Sequence, residues 1–442
     1  MIPGLSSLLS AQLIDRRHRH RRNVLAAFHG RLSESRLSCE KIRKLQDARL
    51  CSLLRQARDG VPFYRDLIPP EGEWSQSSVR EVLAALPIVS REEIRQNADR
   101  FTSSNSPEVD SDSTSGSTGT PFQFRIDRAT RIARESSLYW ADSLAGWRYG
   151  DRCAYLWGNE REVQMLQSGG RMRTRAWLEN RLYLSAYDVS ADALLGYHRR
   201  LSRFRPHMLI GYASALEEFA RMLGKIGVKP DYPRRAVVSS AEVLTPEARA
   251  EIESVFDTRV FNRYGSREFG SIAMEDSLHH GLVLNEQDLI LEVESADSAA
   301  EPGRVIVTYL ANTTMPFIRY DTGDVALLQA GSDVRRRIAT VLGRHGEIIR
   351  TPGGRSVHAN FFSKLFRVDH QVRRFQVIQE VDGALRILLE RRGELRGLTE
   401  SRWREEIAVC FGPSTGVVFE YVEKIHSLPS GKRQFLTRMA PG

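Results

Sequence analysis

The fold is decided by the stretch from His207 to Glu268, HMLIGYASALEEFARMLGKIGVKPDYPRRAVVSSAEVLTPEARAEIESVFDTRVFNRYGSRE. Short apolar runs in it are typical of buried strands, and the longer segments between them have the apolar spacing of helices. The runs are 207–211, 236–239 and 259–262, and the helical segments are 213–226 and 246–256. This alternation predicts an α/β fold with mostly parallel strands.

The regions on either side extend the pattern and then change it. Further strand candidates lie at Cys153–Trp157 and Val305–Leu310. The first hundred residues are mostly helical, and one helix there starts after a Ser90 cap. The last hundred predict a hairpin around Asp382-Gly383, then a helix and a strand. We expect a large N-terminal domain with mostly parallel sheets and flanking helices, 1–343, with a helical lead-in over 1–100, and a small α+β domain, 344–442.

Composition places the chain among globular proteins. Its 442 residues are 41% hydrophobic and 27% charged, and the length suits two domains. No run reaches about 18 apolar residues, so no transmembrane segment is expected. The short apolar start precedes the arginines, the reverse of a secretory signal, so we expect a cytoplasmic protein. The cysteines at 39, 51, 153 and 410 lack metal or disulfide spacing and predict buried thiols.

The net charge of +9 comes from 64 basic residues, of which only seven are lysine. One dense run, Arg16 to Arg22, could contact nucleic acid, an anionic membrane or an acidic partner. The solvated face of an N-terminal helix is the favoured interpretation. Aromatic residues are not interleaved with the run, so no specific nucleic-acid partner is expected.

The sharpest local feature is Thr114 to Pro121, TSGSTGTP. Alternating glycines and hydroxyl residues leave backbone N–H groups and hydroxyls able to surround an anion, as a phosphate-binding loop requires. No Gly-Lys-Ser/Thr follows, so it is not a Walker A loop. The composition of 102–120 fits a disordered linker equally well.

Two further loops and one lysine carry groups suited to a nucleotide. Glu268 follows a strand, where its oxygen could hold Mg²⁺ at the crevice edge, although a solvated surface glutamate is the commoner case. A predicted tight turn at 319–324 carries two aspartates, and an aspartate can accept both ribose hydroxyls. Lys432 lies in a Pro/Ser/Gly turn, where an ammonium suits phosphate, unless it is a plain surface residue.

In order, six segments resemble the adenylate-forming (acyl-CoA synthetase-like) superfamily: TSGSTGTP at 114–121, SSAE at 239–242, NRYGSRE at 262–268, RYDTGD at 319–324, GRHGE at 343–347 and PSGK at 429–432. The chain looks most like the phenylacetate–CoA ligase branch with its capsular-polysaccharide adenylate-ligase relatives. The resemblance spans nearly the whole chain. It implies a large N-terminal adenylation domain and a small C-terminal lid joined by a hinge.

The resemblance also implies residue roles in a nucleotide site. The loop that would hold the β- and γ-phosphates comprises Ser115, Gly116, Ser117, Thr118, Gly119 and Thr120, with Thr118 among the catalytic groups. The segment against adenine would comprise Ala241 and Glu242, flanked by Tyr264 and Gly265. Ser266 and Glu268 would face the phosphates and Mg²⁺. Asp324 would hold the ribose, with Arg344 near that sugar or the hinge. Lys432 would reach the α-phosphate and the substrate carboxylate.

The implied reaction is ATP-dependent activation of a small-molecule carboxylic acid. The acid attacks the α-phosphorus, pyrophosphate leaves, and the acyl-adenylate passes its acyl group to an acceptor, commonly coenzyme A. The expected ligands are ATP or AMP, Mg²⁺ and coenzyme A. Similar enzymes are often dimers, so a homodimer is compatible with the resemblance.

Two departures bear on that reaction. Thr120 stands where many members carry a lysine, with Arg125 as a candidate substitute, and Gly346 stands where a hinge aspartate is usual. Glycine keeps rotation possible but offers no side chain to stabilise either pose. Thioester formation is therefore less well supported than adenylation.

The acid itself is not specified by the sequence. The pocket implied by the resemblance is lined by Tyr212, Ala213, Ser239, Ser240, Phe269 and Gly270. Tyr212 and Phe269 would favour a flat aromatic acid, unless they are plain packing residues. Two alternatives remain: a ligase whose acceptor is an amine or hydroxyl, and a non-catalytic nucleotide-binding relative. The presence of Glu268, Asp324 and Lys432 argues against the second.

Overall fold

The computed structural model describes residues 19–70, 72–105, 110–114, 122–157, 176, 179–186, 191–295, 301–329, 335–344, 348–350, 356–358, 362, 365–366, 372–391, 398–413, 415–425 and 436–438. They form two compact units. The first holds the described residues up to Val341 except Gly323–Val325, and the second holds that segment and those from Leu342 onward. The domain assignment of 1–343 and 344–442 stays a prediction.

Helices dominate the first hundred residues, as predicted. They are α1 (Arg19–Glu34), α2 (Cys39–Gly60), α3 (Val79–Ala85) and α4 (Arg91–Gln96). Helix α2 ends where Val61-Pro62 follows, because the residue before a proline is disfavoured in helical geometry. The predicted Ser90 cap is confirmed, since its hydroxyl accepts a hydrogen bond from the Glu93 amide at 3.2 Å.

The basic run is partly used in packing. Helix α1 lies against α5 (Arg128–Leu144), where His20 is 3.1 Å from Glu135. Arg21 pairs with Glu179 at 3.1 Å. A fully solvated face is therefore wrong for His20 and Arg21, because both are half-buried against acidic partners.

One mixed sheet forms the centre of the first unit. In the described residues it has eleven strands in the order β10-β11-β12-β13-β9-β8-β7-β6-β5-β3-β4. The bounds are β3 (Cys153–Trp157), β4 (Arg181–Ser185), β5 (Met208–Tyr212), β6 (Ala236–Ser240), β7 (Val260–Ser266), β8 (Gly270–Glu275), β9 (Leu282–Leu284), β10 (Leu289–Glu294), β11 (Gly303–Tyr309), β12 (Tyr320–Leu328) and β13 (Arg337–Arg344).

Parallel pairing is confirmed for the half from β4 to β7. The other half contains antiparallel pairs, including β7 with β8 and β8 with β9. Helices α6 (Ala191–Phe204), α7 (Ala213–Lys225) and α8 (Pro246–Phe256) connect the parallel strands. Their apolar faces share a core with the sheet, built around Leu216, Phe219, Ile252 and Val237.

Two local expectations are corrected. The predicted tight turn at 319–324 is wrong, because Tyr320 to Asp324 lie within strand β12, with Gly323 at φ +74°. Part of the predicted linker is ordered: β1 (Asp110–Thr114) pairs antiparallel with β2 (Phe122–Ile126). Every residue of β1 is polar, so its composition gives no sign of the strand pairing.

The second unit is the predicted α+β arrangement. Strands β14 (Ile348–Arg350) and β15 (Ser356–His358) pair with each other, and β16 (Val372–Gln379), β17 (Leu385–Arg391), β18 (Val417–Val422) and β19 (Leu436–Arg438) form a sheet. The hairpin at Asp382-Gly383 is confirmed, with Gly383 at φ +86°. Helix α9 (Leu398–Phe411) buries Trp403 and Ile407 in the core of the unit.

Among the described residues, no helix combines the length and apolarity needed to cross a membrane. Cys51 and Cys153 are buried, as predicted. The prediction is wrong for Cys39, which is exposed because it is the first residue of α2, just after the Ser38 cap.

Glycine at position 265 is required by a close backbone approach. A Cβ there would lie 2.3 Å from the Gly270 carbonyl oxygen. Gly265→Ala should therefore lower the free energy of unfolding by about 1–3 kcal/mol, measured by urea unfolding. Gly196→Ala is the matched control, because its Cβ meets nothing within 4 Å in the interior of α6, and it should raise stability by about 0.5–1 kcal/mol. Equal stability of Gly265→Ala and wild type would contradict the packing argument.

Candidate active site

Several of the predicted site residues in the first unit lie at the carboxyl edge of the parallel strands. The pairing register aligns Tyr212 with Ser240, and Ser240 with Arg263. On the other side of β5, β3 ends at Trp157. Ligands bind in the crevice outside this edge of open α/β sheets. The strand ends therefore bring the segments at 212–213, 239–242 and 262–268 together.

The loop after β6 contains a strained residue, Ala241, and a glutamate, Glu242, that caps helix α7. Ala241 has φ +66°, a left-handed geometry that costs a non-glycine residue about 1 kcal/mol or more and clusters at functional sites. The Ser214 amide donates to Glu242 Oε2 at 2.8 Å. That carboxylate therefore caps the N-terminus of α7, where the backbone amides lack partners within the helix.

The turn from β7 to β8 buries two of the predicted groups. Glu268 is 1% exposed. Ser266 Oγ is buried and has no hydrogen-bond partner among the described residues. A buried polar atom left unsatisfied costs free energy and calls for a partner that the protein does not supply.

A cation missed by sequence analysis lies against Glu268. Arg91 Nη2 donates to Glu268 Oε1 at 3.0 Å. Arg91 Nε donates to the Tyr320 hydroxyl at 3.1 Å. Arg91 belongs to none of the sequence motifs. Its role could be anticipated only from the rule that a buried glutamate requires a positively charged partner.

The predicted phosphate loop begins and ends beside this turn. Its flanking residues, Thr114 and Phe122, are paired in the β1–β2 ribbon. Arg267 Nη1 donates to the Ser113 carbonyl at 3.1 Å, and the Arg91 guanidinium lies 5.5 Å from the Phe122 ring centroid. Both ends of the loop are thus anchored next to Glu268.

A buried ion pair fixes the end of β7 to helix α5. Arg263 Nη1 donates to Asp142 Oδ1 at 2.8 Å, and Arg263 Nε also reaches Ser240 Oγ at 3.4 Å. Burial raises the pKa of the Asp142 carboxyl above its usual range, and the charges of Arg263 and Arg181 oppose that rise. Since neither charge is solvated, removing one alone would strand the other.

In the second unit, Asp324 and Arg344 are brought together. Arg344 Nε lies 3.0 Å from Asp324 Oδ1. The carboxylate is mostly buried and the guanidinium is partly exposed. The two residues expected near one ribose are therefore neighbours in this structure.

The acid-pocket expectations divide into two groups. Tyr212 packs on Trp157 with ring centroids 4.8 Å apart, and Ser239 Oγ is buried without a partner among the described residues. Ala213 and Ser240 lie at the same edge. Trp157 was missed because the prediction followed motifs only.

Assignment of Phe269 and Gly270 to the pocket wall is corrected. The Phe269 ring is fully buried and contacts the rings of Tyr309, Phe317 and Tyr320. A Cβ at Gly270 would lie 2.6 Å from Ser137 Oγ on α5. Both residues pack in the core, so Phe269 gives no support for an aromatic acid as the substrate.

Several predicted groups lie outside the described residues: Ser115, Gly116, Ser117, Thr118, Gly119, Thr120, Gly346 and Lys432. Their roles stay predictions. Arg125, the suggested replacement for a loop lysine, lies on the exposed face of β2 and pairs with Asp99 at 3.2 Å. Its guanidinium is thus on the strand face opposite to buried Phe122 and Phe124.

The described residues contain no group of three or more His, Cys, Asp or Glu side chains arranged to hold a metal. Mg²⁺ needs fewer protein ligands when it arrives on a nucleotide, since phosphates and water complete its shell. One buried carboxylate, Glu268, beside the unsatisfied Ser266 hydroxyl fits that mode of binding.

Comparison with known proteins agrees with this geometry. Residues 349–439 match the family described as the CapK C-terminal domain. Protein CapK of Staphylococcus aureus is 24% identical over 405 residues, covering 90% of this chain and 89% of that protein. Phenylacetate-coenzyme A ligase of Thermus thermophilus is 24% identical over 364 residues, covering 78% of this chain and 80% of the ligase.

A crystal structure of 2-hydroxyisobutyryl-CoA ligase, in the postadenylation state with R3-HIB-AMP, aligns with a TM-score of 0.70. The alignment has 15% identity and covers 91% of this chain and 90% of that one. The chain is thus similar over most of its length to Protein CapK and to a phenylacetate-coenzyme A ligase, and it shares the fold of 2-hydroxyisobutyryl-CoA ligase. The C-terminal match and the relative from Staphylococcus aureus both show similarity to CapK.

A second solved ligase shares the fold. The anthranilate CoA ligase AuaEII, solved with anthranoyl-AMP, aligns with a TM-score of 0.52 at 14% identity, over 81% of this chain and 74% of that one. The α/β fold with one large sheet and flanking helices is thus shared with both solved ligases.

The cap supplied by Glu242 can be tested directly. Glu242→Ala should lower the free energy of unfolding by about 1 kcal/mol, because the Ser214 amide loses its acceptor. Glu242→Gln keeps an acceptor oxygen and should recover most of the loss. Urea unfolding of the three proteins measures this difference, and equal losses for both variants would show that the charge acts rather than the hydrogen bond.

Proposed function

We propose that the chain is an AMP-forming carboxylate ligase that activates a carboxylic acid with ATP and then transfers the acyl group, with coenzyme A as the acceptor. The observation that carries the proposal is the β7–β8 turn. It holds a buried carboxylate and a buried hydroxyl that has no partner among the described residues, near Ser113 and Phe122, which flank the Ser/Thr/Gly loop. The relatives named above include ligases that form thioesters of coenzyme A.

In this proposal each described group has a distinct task. The acid lies near Trp157 and Tyr212, and the adenine lies against the strained Ala241 segment. Ser266 and Glu268 face the phosphates. Mg²⁺ held by Glu268 would neutralise charge on the departing pyrophosphate. Asp324 binds the ribose hydroxyls, and Arg344 orients that carboxylate.

The chemistry requires positioning more than covalent catalysis. The carboxylate oxygen attacks the α-phosphorus in line, the bond to the β-phosphate oxygen breaks, and pyrophosphate carries away the electron pair. Fixed donors and cations stabilise the charge that develops at phosphorus. The acyl-adenylate then reacts with a thiol, which releases AMP.

The first test is pyrophosphate release from ATP and Mg²⁺ across a panel of carboxylic acids, with and without coenzyme A. Steady release with one acid that accelerates with coenzyme A is the expected result. A single stoichiometric burst that coenzyme A leaves unchanged would redirect the proposal to an amine or hydroxyl acceptor. The cytoplasmic location and the homodimer predicted from the sequence are not tested by this experiment and stay predictions.

Lys432 is the proposed contact to the α-phosphate. Lys432→Ala should lower adenylation by about a hundredfold or more while ATP affinity hardly changes, because the ammonium acts in the transition state. Lys424→Ala, an exposed lysine of the same unit, is the matched control and should retain full activity. Pyrophosphate release and nucleotide titration separate the two effects, and an active Lys432→Ala enzyme would remove Lys432 from the mechanism.

A further inference from the structure

We propose that Arg91 is a positioning residue for Glu268. Its guanidinium fixes one oxygen of that carboxylate, so that the other is presented to a divalent ion carried by the nucleotide. This inference rests on the proposed function and adds a residue that lies outside all six segments of the superfamily resemblance. It also assigns a task to the Ser90-capped segment at 86–93, which the nucleotide site does not otherwise use.

The backbone before Arg91 is pinned to strand β12. Val89 forms a parallel bridge with Tyr320. The Val89 amide donates to the Arg319 carbonyl at 3.0 Å, and the Asp321 amide donates to the Val89 carbonyl at 2.9 Å. Arg91 then follows the Ser90 cap as the first residue of α4. The Cα of Arg91 is thus fixed relative to the motif that contains Asp321.

The side chain of Arg91 is fixed at three points. Its Nε donates to the Tyr320 hydroxyl at 3.1 Å, its Nη2 donates to Glu268 Oε1 at 3.0 Å, and its guanidinium carbon lies 5.5 Å from the Phe122 ring centroid. A planar guanidinium can satisfy such separate acceptors at once, whereas a lysine ammonium acts as a point charge. The residue is partly exposed, with 27% of its side chain accessible.

Glu268 has the complementary arrangement. It is 1% exposed and pairs through Oε1. Within the described ranges, no other hydrogen bond reaches its carboxylate. Carboxylates that bind metals are themselves oriented by hydrogen bonds, and removal of such an outer partner typically costs about 10–100-fold in metal affinity or activity. The Arg91 contact is the bond that orients Glu268.

The test measures metal binding without turnover. Mn²⁺ is titrated into protein saturated with α,β-methylene-ATP, which cannot form an adenylate, and free Mn²⁺ is read by electron paramagnetic resonance. Glu268→Gln should weaken Mn²⁺ binding in this ternary complex. Arg91→Met should weaken it about tenfold or more. Arg95→Met is the matched control, because Arg95 lies on the same helix and pairs with Glu92 at the surface, and its affinity should equal that of wild type.

The double variant decides how Arg91 acts. If Arg91 works through Glu268, Arg91→Met causes no further loss in the Glu268→Gln protein. An additional loss there, or unchanged or tighter Mn²⁺ binding in Arg91→Met alone, overturns the inference while leaving the proposed function intact. If Glu268→Gln binds Mn²⁺ as tightly as wild type, the metal assignment of the proposed function is overturned as well. If Arg91→Met does not fold, Arg91→Lys replaces it, with a smaller loss expected because the charge stays but one anchor is lost.

Discussion

The candidate site depends on the register of the adjacent parallel strands β3, β5, β6 and β7. Because side chains alternate across a sheet, a shift of one residue in β6 or β7 would turn Ser239 and Arg263 to the opposite faces. The register is held from both sides of the sheet. Apolar residues of α7 and α8 fill one face, and the buried pair of Arg263 and Asp142 ties the end of β7 to α5. The register of the strands therefore fixes the position of the crevice and of the loops that follow the strands.

Arginine chemistry explains both the composition and the rigidity of this edge. The excess of arginine over lysine would suit a nucleic-acid surface, yet several arginines are used inside the protein. Arg31 pairs with Asp288 at 2.6 Å, Arg263 with Asp142, and Arg91 with Glu268. Each pair joins segments far apart in sequence. A planar guanidinium loses less freedom per hydrogen bond than an ammonium does, which suits it to such cross-links.

The sequence predicts β3, β5, β6 and β7 of the parallel half, because buried strands and amphipathic helices alternate there with clear periodicity. Strand β4 is not predicted. The sequence also predicts which loops follow those strands, since chain order and strand direction place their ends at one edge. In the antiparallel half the strand candidate Val305–Leu310 is confirmed as β11. The other described strands of that half and the polar strand β1 are not predicted, because their pairing depends on partners distant in sequence. Phe269 shows a second limit: an aromatic residue beside a motif has the same local pattern whether it faces a ligand or the core. Arg91 shows a third, since only its distance to Glu268 in the folded chain reveals it.

The charges of the described site constrain how a nucleotide can be bound there. Arg91 is paired with Glu268, and Arg267 and Arg134 both contact Asp112. Arg125 is directed to Asp99 on the exposed face of β2. These arginines therefore meet protein carboxylates before any phosphate arrives, and Thr120 adds no charge to the loop. In the proposed function, the negative charge of a triphosphate would be met by backbone amides, a divalent ion and Lys432. Such a site would bind metal and nucleotide together, because Glu268 alone among the proposed groups offers a carboxylate to the ion and the phosphates would complete its shell.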